Sequence, residues 1–115
     1  MMKILEITVL PKPHNRKEFR QTLENLSENL HQYCSSLKID ELGEGVTFNI
    51  LVKCKTASQM HNTLMSDEFT ILTGAISTLS EKTIIKLDGK ELGINISELK
   101  LFRSSELLQE ISKQI

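Results

Sequence analysis

The chain has 115 residues, 39% hydrophobic and 25% charged, with a formal net charge of -1. One domain with a sizeable core fits that length and composition, whereas a disordered or fibrous chain does not. Charges of both signs are scattered, so no basic stripe is present to neutralise phosphates, and no apolar run approaches the roughly 20 residues of a membrane span; nucleic acid and membrane are excluded as partners.

Residues 3–10, KILEITVL, read as a strand rich in β-branched residues. Alternation sets Leu5, Ile7 and Val9 on one face, and Ile4 and Leu10 with Glu6 and Thr8 on the other. The mixed polarity, with no small-residue cleavage site, speaks against a signal peptide. Pro11 and Pro13 end the ladder, because neither has an N–H to donate. Asn15 is placed to cap a helix whose apolar stripe is Phe19, Leu23, Leu26, Leu30 and Tyr33, at alternating spacings of four and three. Residues 37–42 form a short, partly polar edge strand, and Gly43 and Gly45 supply the turn.

Residues 46–54 give the strongest strand pattern, with Val46, Phe48, Ile50, Val52 and Cys54 alternating against Thr47, Asn49, Leu51 and Lys53. Its second face is mixed, so this strand and the first are expected to be partly covered on both sides. Ser58 is placed to cap the next helix, which carries Met60, Leu64 and Met65. At Ser66 a second N-cap appears, with Asp67 and Glu68 in the dipole-favoured first turn and Phe69, Leu72, Ile76 and Leu79 as a new stripe. The second helix is therefore predicted to be two helices meeting at a bend. Residues 83–87 make a fourth strand, ended by the turn dipeptide Asp88-Gly89, and residues 94–96 are predicted to return as a short fifth. Leu107, Leu108, Ile111 and Ile115 mark a last helix capped by Ser104 or Ser105.

The order strand, helix, strand, strand, broken helix, strand is that of an α+β, ferredoxin-like βαββαβ unit, an antiparallel sheet with its helices on one face. Residues 1–93 form this domain, and residues 94–115 form an extension packed on it or on a partner chain. Helices on one face leave the other to be buried by something else. A second copy of the chain, sheet against sheet, is the expected cover.

Chemistry-bearing residues are few. His14 lies in a loop and His31 on the flank of the first helix, while His61, beside Leu64 and Met65, is the histidine best placed to edge a pocket. Tyr33 ends a stripe with a hydroxyl that can meet a phenolic ligand. Met60 and Met65 read as core that can double as pocket wall. No histidine pair has metal-ligand spacing, and no glycine pattern cradles phosphate. Cys34 and Cys54, far apart and outside any CxxC spacing, read as reduced buried thiols of a cytoplasmic protein.

The segments MKILEITVLPKPHNRKEFRQTLENL and LMSDEFTILTGAISTLSEKTIIKL together resemble the antibiotic biosynthesis monooxygenase superfamily over about residues 3–88, above all in the helix restart at Ser66-Asp67-Glu68-Phe69. That resemblance implies a dimeric α+β barrel of ferredoxin-like protomers with a small apolar pocket between sheet and helices. Here Thr63, Phe69, Thr73 and Phe48 are the pocket candidates. The haem-degrading branch of the superfamily carries an Asn in the first strand, a Trp before the helix break and a His after it. In this chain the two helix positions are Thr63 and Thr73, the first strand has no Asn, and there is no tryptophan, so haem is disfavoured and no cofactor is expected.

Two functional readings follow. One is a cofactor-independent monooxygenase acting on an electron-rich aromatic, with His61 or Tyr33 supplying the base or its hydrogen-bond partner. The other is a non-catalytic ligand-binding or dimeric interaction module on the same scaffold.

Overall fold

A computed structural model describes residues 2–43 and 46–99. Its elements are β1 (Lys3–Pro11), a 3-10 turn (Pro13–Asn15), α1 (Arg16–Leu30), β2 (Ser36–Leu42), β3 (Thr47–Cys54), α2 (Ala57–Leu64), α3 (Asp67–Leu79), β4 (Ser80–Leu87), β5 (Lys90–Leu92) and α4 (Ile96–Leu99). The strands form one antiparallel sheet in the order β2-β3-β1-β4-β5. This is the ferredoxin-like arrangement with one added edge strand.

Register explains the core. Leu5 lies opposite both Val52 and Leu87, Ile7 opposite Ile50 and Ile85, and Val9 opposite Phe48, so apolar rows run across the central strands on a single face. The stripes Phe19, Leu23, Leu26 and Leu30 of α1, and Phe69, Leu72, Ile76 and Leu79 of α3, close over that face. Phe19 meets Phe48 edge-on with ring centroids 5.0 Å apart, a favourable aromatic geometry. The opposite face carries Ile4, Leu10, Leu51 and Ile84 among Glu6, Thr8 and Asn49, all half-buried. Among the described residues no helix covers it.

The break at Ser66 is a joint held by one hydroxyl. Ser66 Oγ accepts from the Phe69 N–H at 3.2 Å, capping α3, and donates to the Thr63 carbonyl at 2.7 Å, satisfying the last turn of α2. The cap of α2 is Thr56 rather than Ser58: Thr56 is the residue with extended backbone before the first turn, and its Oγ1 accepts from Gln59 N at 3.1 Å. Ser58 already lies inside the helix. Asn15 stands at the N-cap of α1 but makes no side-chain cap bond. Helix α1 stops at Leu30, which leaves Tyr33 in the turn beyond it.

The fifth strand is Lys90–Leu92, not residues 94–96. Asp88 and Gly89 both take positive φ, 51° and 84°, the requirement of a two-residue type I′ hairpin, so β5 pairs with β4 at once and Ile96 is free to open α4. Ile96 and Leu99 are buried. The helix predicted from Ser104 or Ser105 lies outside the described residues.

Replacing Ser66 by Ala removes both bonds of the joint. A loss of about 1 kcal/mol, read as a fall in Tm of about 4 °C, is expected in thermal denaturation. Ser58→Ala should leave Tm unchanged.

Candidate functional site

A cleft of about 350 Å³ opens between α1 and β2. It exists because α1 meets the sheet at β3, through Phe19 and Phe48, while β2 lies one strand farther out. The inward side chains of β2, Leu37 and Ile39, are therefore only half-buried. They form the cleft floor with Leu23 and Phe48. Polar residues make the rim: Arg20, Glu24, Ser27 and His31 descend one side of α1, and Glu41 faces them from β2.

Arg20 and Glu41 join the two walls. Arg20 Nε donates to Glu41 Oε2 at 3.0 Å, and Arg20 Nη2 donates to Glu41 Oε1, a forked pairing that suits a planar guanidinium. The hydrogen bonds to Arg20, reinforced by its charge, hold the Glu41 carboxyl below the usual range, and the same contacts raise Arg20. Both side chains are well exposed, 41% and 32%, so the pair positions the rim more than it stabilises the fold.

The sequence-derived candidates fall in three places. Phe48 reaches the cleft. Thr63, Phe69 and Thr73 do not line it; they are 0%, 0% and 3% exposed within the core. Thr63 Oγ1 lies 2.9 Å from the Gln59 carbonyl, 3.0 Å from the Tyr33 carbonyl and 3.6 Å from Cys54 Sγ, and Thr73 Oγ1 donates to the Thr70 carbonyl at 3.0 Å. The Thr73 hydroxyl is thus engaged within its own helix, and that of Thr63 both within its helix and with the turn after α1. His61 is half-buried on α2, and its Nδ1 is enclosed with no hydrogen-bond partner among the described residues.

Tyr33 sits beside the start of α3, outside the cleft. Hydrogen bonding to Glu68, then burial, then the charges of Glu68 and Asp67 push the phenol above its ordinary pKa. It stays protonated at neutral pH and can donate a hydrogen bond, but it is poorly suited to taking a proton. Cys34 and Cys54 are free, buried thiols, and burial raises both. Arg20, Glu24, Ser27 and His31 were not singled out as a group by the sequence. Their signal is a polar stripe flanking the apolar stripe of α1, and it becomes meaningful only once β2 is known to lie beside it.

A second, more polar cleft of about 300 Å³ lies where α3 passes into β4, lined by Ser77, Ser80, Glu81, Lys82, Thr83, Asn95 and Ile96. Two of its hydroxyls are already engaged, Ser80 with the Ile76 carbonyl and with Thr83 at 3.4 Å. It lacks the apolar floor that holds an organic ligand.

No family model matches the sequence, and no curated protein matches it. Solved structures do. Rv0793 from Mycobacterium tuberculosis superposes with a TM-score of 0.70 at 12% identity, covering 76% of this chain and 92% of its own. A candidate antibiotic biosynthesis monooxygenase from Nitrosomonas europaea gives 0.69 at 10% identity, covering 76% and 88%. An antibiotic biosynthesis monooxygenase gives 0.66 at 15% identity, covering 76% and 95%. The chain has the antibiotic biosynthesis monooxygenase fold, as the resemblance implied; identities this low show the fold alone.

The chain has a single tyrosine, so an ultraviolet titration reads Tyr33 directly. Its midpoint should lie above that of free tyrosine, and Glu68→Gln should lower it. The folded-state pKa being raised, any stability Tyr33 contributes is complete below the ordinary phenol pKa and is lost as pH rises through the folded one. Glu41 has the opposite sign. Its contribution, measured as the stability difference between the protein and Arg20→Gln, should be present at neutral pH and vanish as pH falls through its lowered pKa.

Proposed function

We propose that the protein is a homodimeric small-molecule-binding protein whose α1/β2 cleft takes a small, flat, mostly apolar ligand, an aromatic ring with one polar substituent. The observation that carries this reading is the cleft itself. About 350 Å³ falls in the range of small-ligand sites, and the floor of Leu23, Leu37, Ile39 and Phe48 beneath a polar rim supplies both burial and orientation. The homodimer follows from the uncovered sheet face, where Ile4, Leu10, Leu51 and Ile84 are half-buried in a single chain. An isologous partner, its own sheet laid on this one, removes those side chains from water. Two free thiols favour a reducing compartment, and the cytoplasm is the location in this reading.

The shared fold favours a second reading of the same cleft, cofactor-independent monooxygenation. A base removes the acidic proton of an electron-rich phenol or anthrone, and the carbanion or phenolate passes electrons to dioxygen. One oxygen atom is inserted into the substrate and the other leaves as water, as anthrone plus dioxygen gives anthraquinone plus water. His31, at the rim, is the base in this version rather than His61 or Tyr33. This version takes no haem, because Thr63 and Thr73 stand in the sequence where the haem-degrading branch carries its Trp and His.

Fluorescence titration with 1-naphthol tests the cleft. Saturable binding is expected, and Ser27→Trp, which fills the cleft from α1, should weaken it about tenfold or more, a change of about 1.4 kcal/mol or more. Binding unaffected by Ser27→Trp would place the ligand elsewhere. Oxygen uptake above buffer with anthrone or hydroquinone, abolished by His31→Ala, would establish the catalytic version; naphthol binding without uptake leaves the binding protein. Light scattering should give more than one chain per particle, and Leu51→Lys should reduce the mass.

A further inference from the structure

The rim of the α1/β2 cleft says more about a ligand than its floor does. Helix α1 ends at Leu30 and the chain returns at once into β2, so the two walls run in opposite directions. Arg20 accordingly meets Glu41 at one end, and His31 lies toward Leu37 at the other. Glu24 and Ser27 occupy the middle, on the same side of the helix at successive spacings of four and three.

These groups differ in what they have left to offer. Two nitrogens of Arg20 are bound to Glu41, which makes that end a closed, mutually neutralised pair. Ser27 Oγ donates to the Glu24 carbonyl at 3.1 Å, so only its lone pairs face a ligand. The Glu24 carboxylate makes no hydrogen bond or ion pair among the described residues, although it lies close enough for its charge to act on Arg20. The lining thus sets two carboxylates against one guanidinium, and its centre presents acceptors.

We propose that the cleft selects a cationic ligand, an aromatic ring seated on Leu23, Ile39 and Phe48 with a protonated amine on a short arm that reaches Glu24 and Ser27. The inference rests on the ligand reading above and assigns the polar substituent left open there. An ammonium brings three N–H donors to a carboxylate and a hydroxyl that can accept them. A neutral phenol brings one donor and no charge. An anionic substituent meets Glu24 directly, and it reaches Arg20 only by displacing Glu41, whose own charge then stands unpaired beside it. The rim is open to water, so the preference is modest in size and definite in sign.

Three ligands built on one ring system separate charge from shape: 1-naphthylmethylamine, 1-naphthol and 1-naphthoate, titrated by fluorescence at neutral pH and low salt. The ammonium should bind about fivefold tighter than the naphthol and the naphthoate about fivefold weaker, the order expected of one unit charge at contact distance in water. Glu24→Gln should erase both differences. Glu28→Gln removes an equal charge one turn on, outside the cleft, and should leave them in place. Both side chains are exposed on α1, so neither change threatens folding. Naphthol binding in the cleft with no charge preference, or with a preference that survives Glu24→Gln, overturns this inference and leaves the cleft reading intact. Loss of the preference in Glu28→Gln also overturns it, by assigning the effect to net charge. Tighter binding of naphthoate, lost in Arg20→Gln, overturns it by showing that Arg20 leaves Glu41 for the ligand. Failure of all three ligands to bind overturns the cleft reading and this inference together.

Discussion

A sheet has two faces, and this chain has helices for only one of them. The burial of Leu5, Ile7 and Val9 with Phe48, Ile50 and Val52 beneath α1 and α3 decides which way every strand residue points. Everything else of interest is what that choice leaves over. The opposite face keeps apolar side chains that no described element covers. The edge strand β2, beyond the reach of α1, keeps two inward side chains half-buried, and the shortfall of cover there is the cleft. The cleft and the uncovered face both arise where the helix layer runs out.

Polar groups inside the layer are handled economically. Ser66 serves two helix ends with one hydroxyl. Thr63 lies against two carbonyls and a thiol, and Thr73 bonds one turn back. In another member of the fold those helix positions could project large functional side chains between helix and sheet. Here small β-branched residues bond to nearby backbone carbonyls, and Phe69 is buried with no exposure. The interior between α2–α3 and the sheet is therefore framework, and the residues that rim the cleft lie along α1 and its C-cap, with Glu41 facing them from β2.

Alternation and stripe spacing were enough to read β1, β3, both main helices and the restart at Ser66, because each depends on residues adjacent in sequence. The misreadings have equally local causes. Ser58 and Thr56 are both good capping residues, and the choice depends on which one keeps extended backbone. Asp88-Gly89 is legible as a turn, but its two-residue hairpin demands that the return strand begin at Lys90, leaving Ile94 and Ile96 too late to join it. The cleft was not readable at all. Its walls, Arg20 to His31 on one side and Leu37 to Glu41 on the other, belong to consecutive elements whose lateral offset is set by the insertion of β3 between β2 and β1. Tyr33 and His61 stand out in the sequence by residue type, which says nothing of which surface they face.

The position of β1 has a consequence for synthesis. It is the first strand of this sheet to be made, yet it lies between β3 and β4, with partners at residues 47–54 and 80–87. Asp88 then ties the end of β4 back to Ile4 through a backbone and a side-chain bond, both 2.8 Å. None of these partners exists when β1 emerges. The nascent chain must carry an apolar, unpaired strand through the making of most of the domain, and the sheet closes only when the hairpin at Asp88 has cleared the exit tunnel. Folding is thereby weighted to the completion of β4, and the long-range pairings that define the fold are also those that make an early pause hazardous.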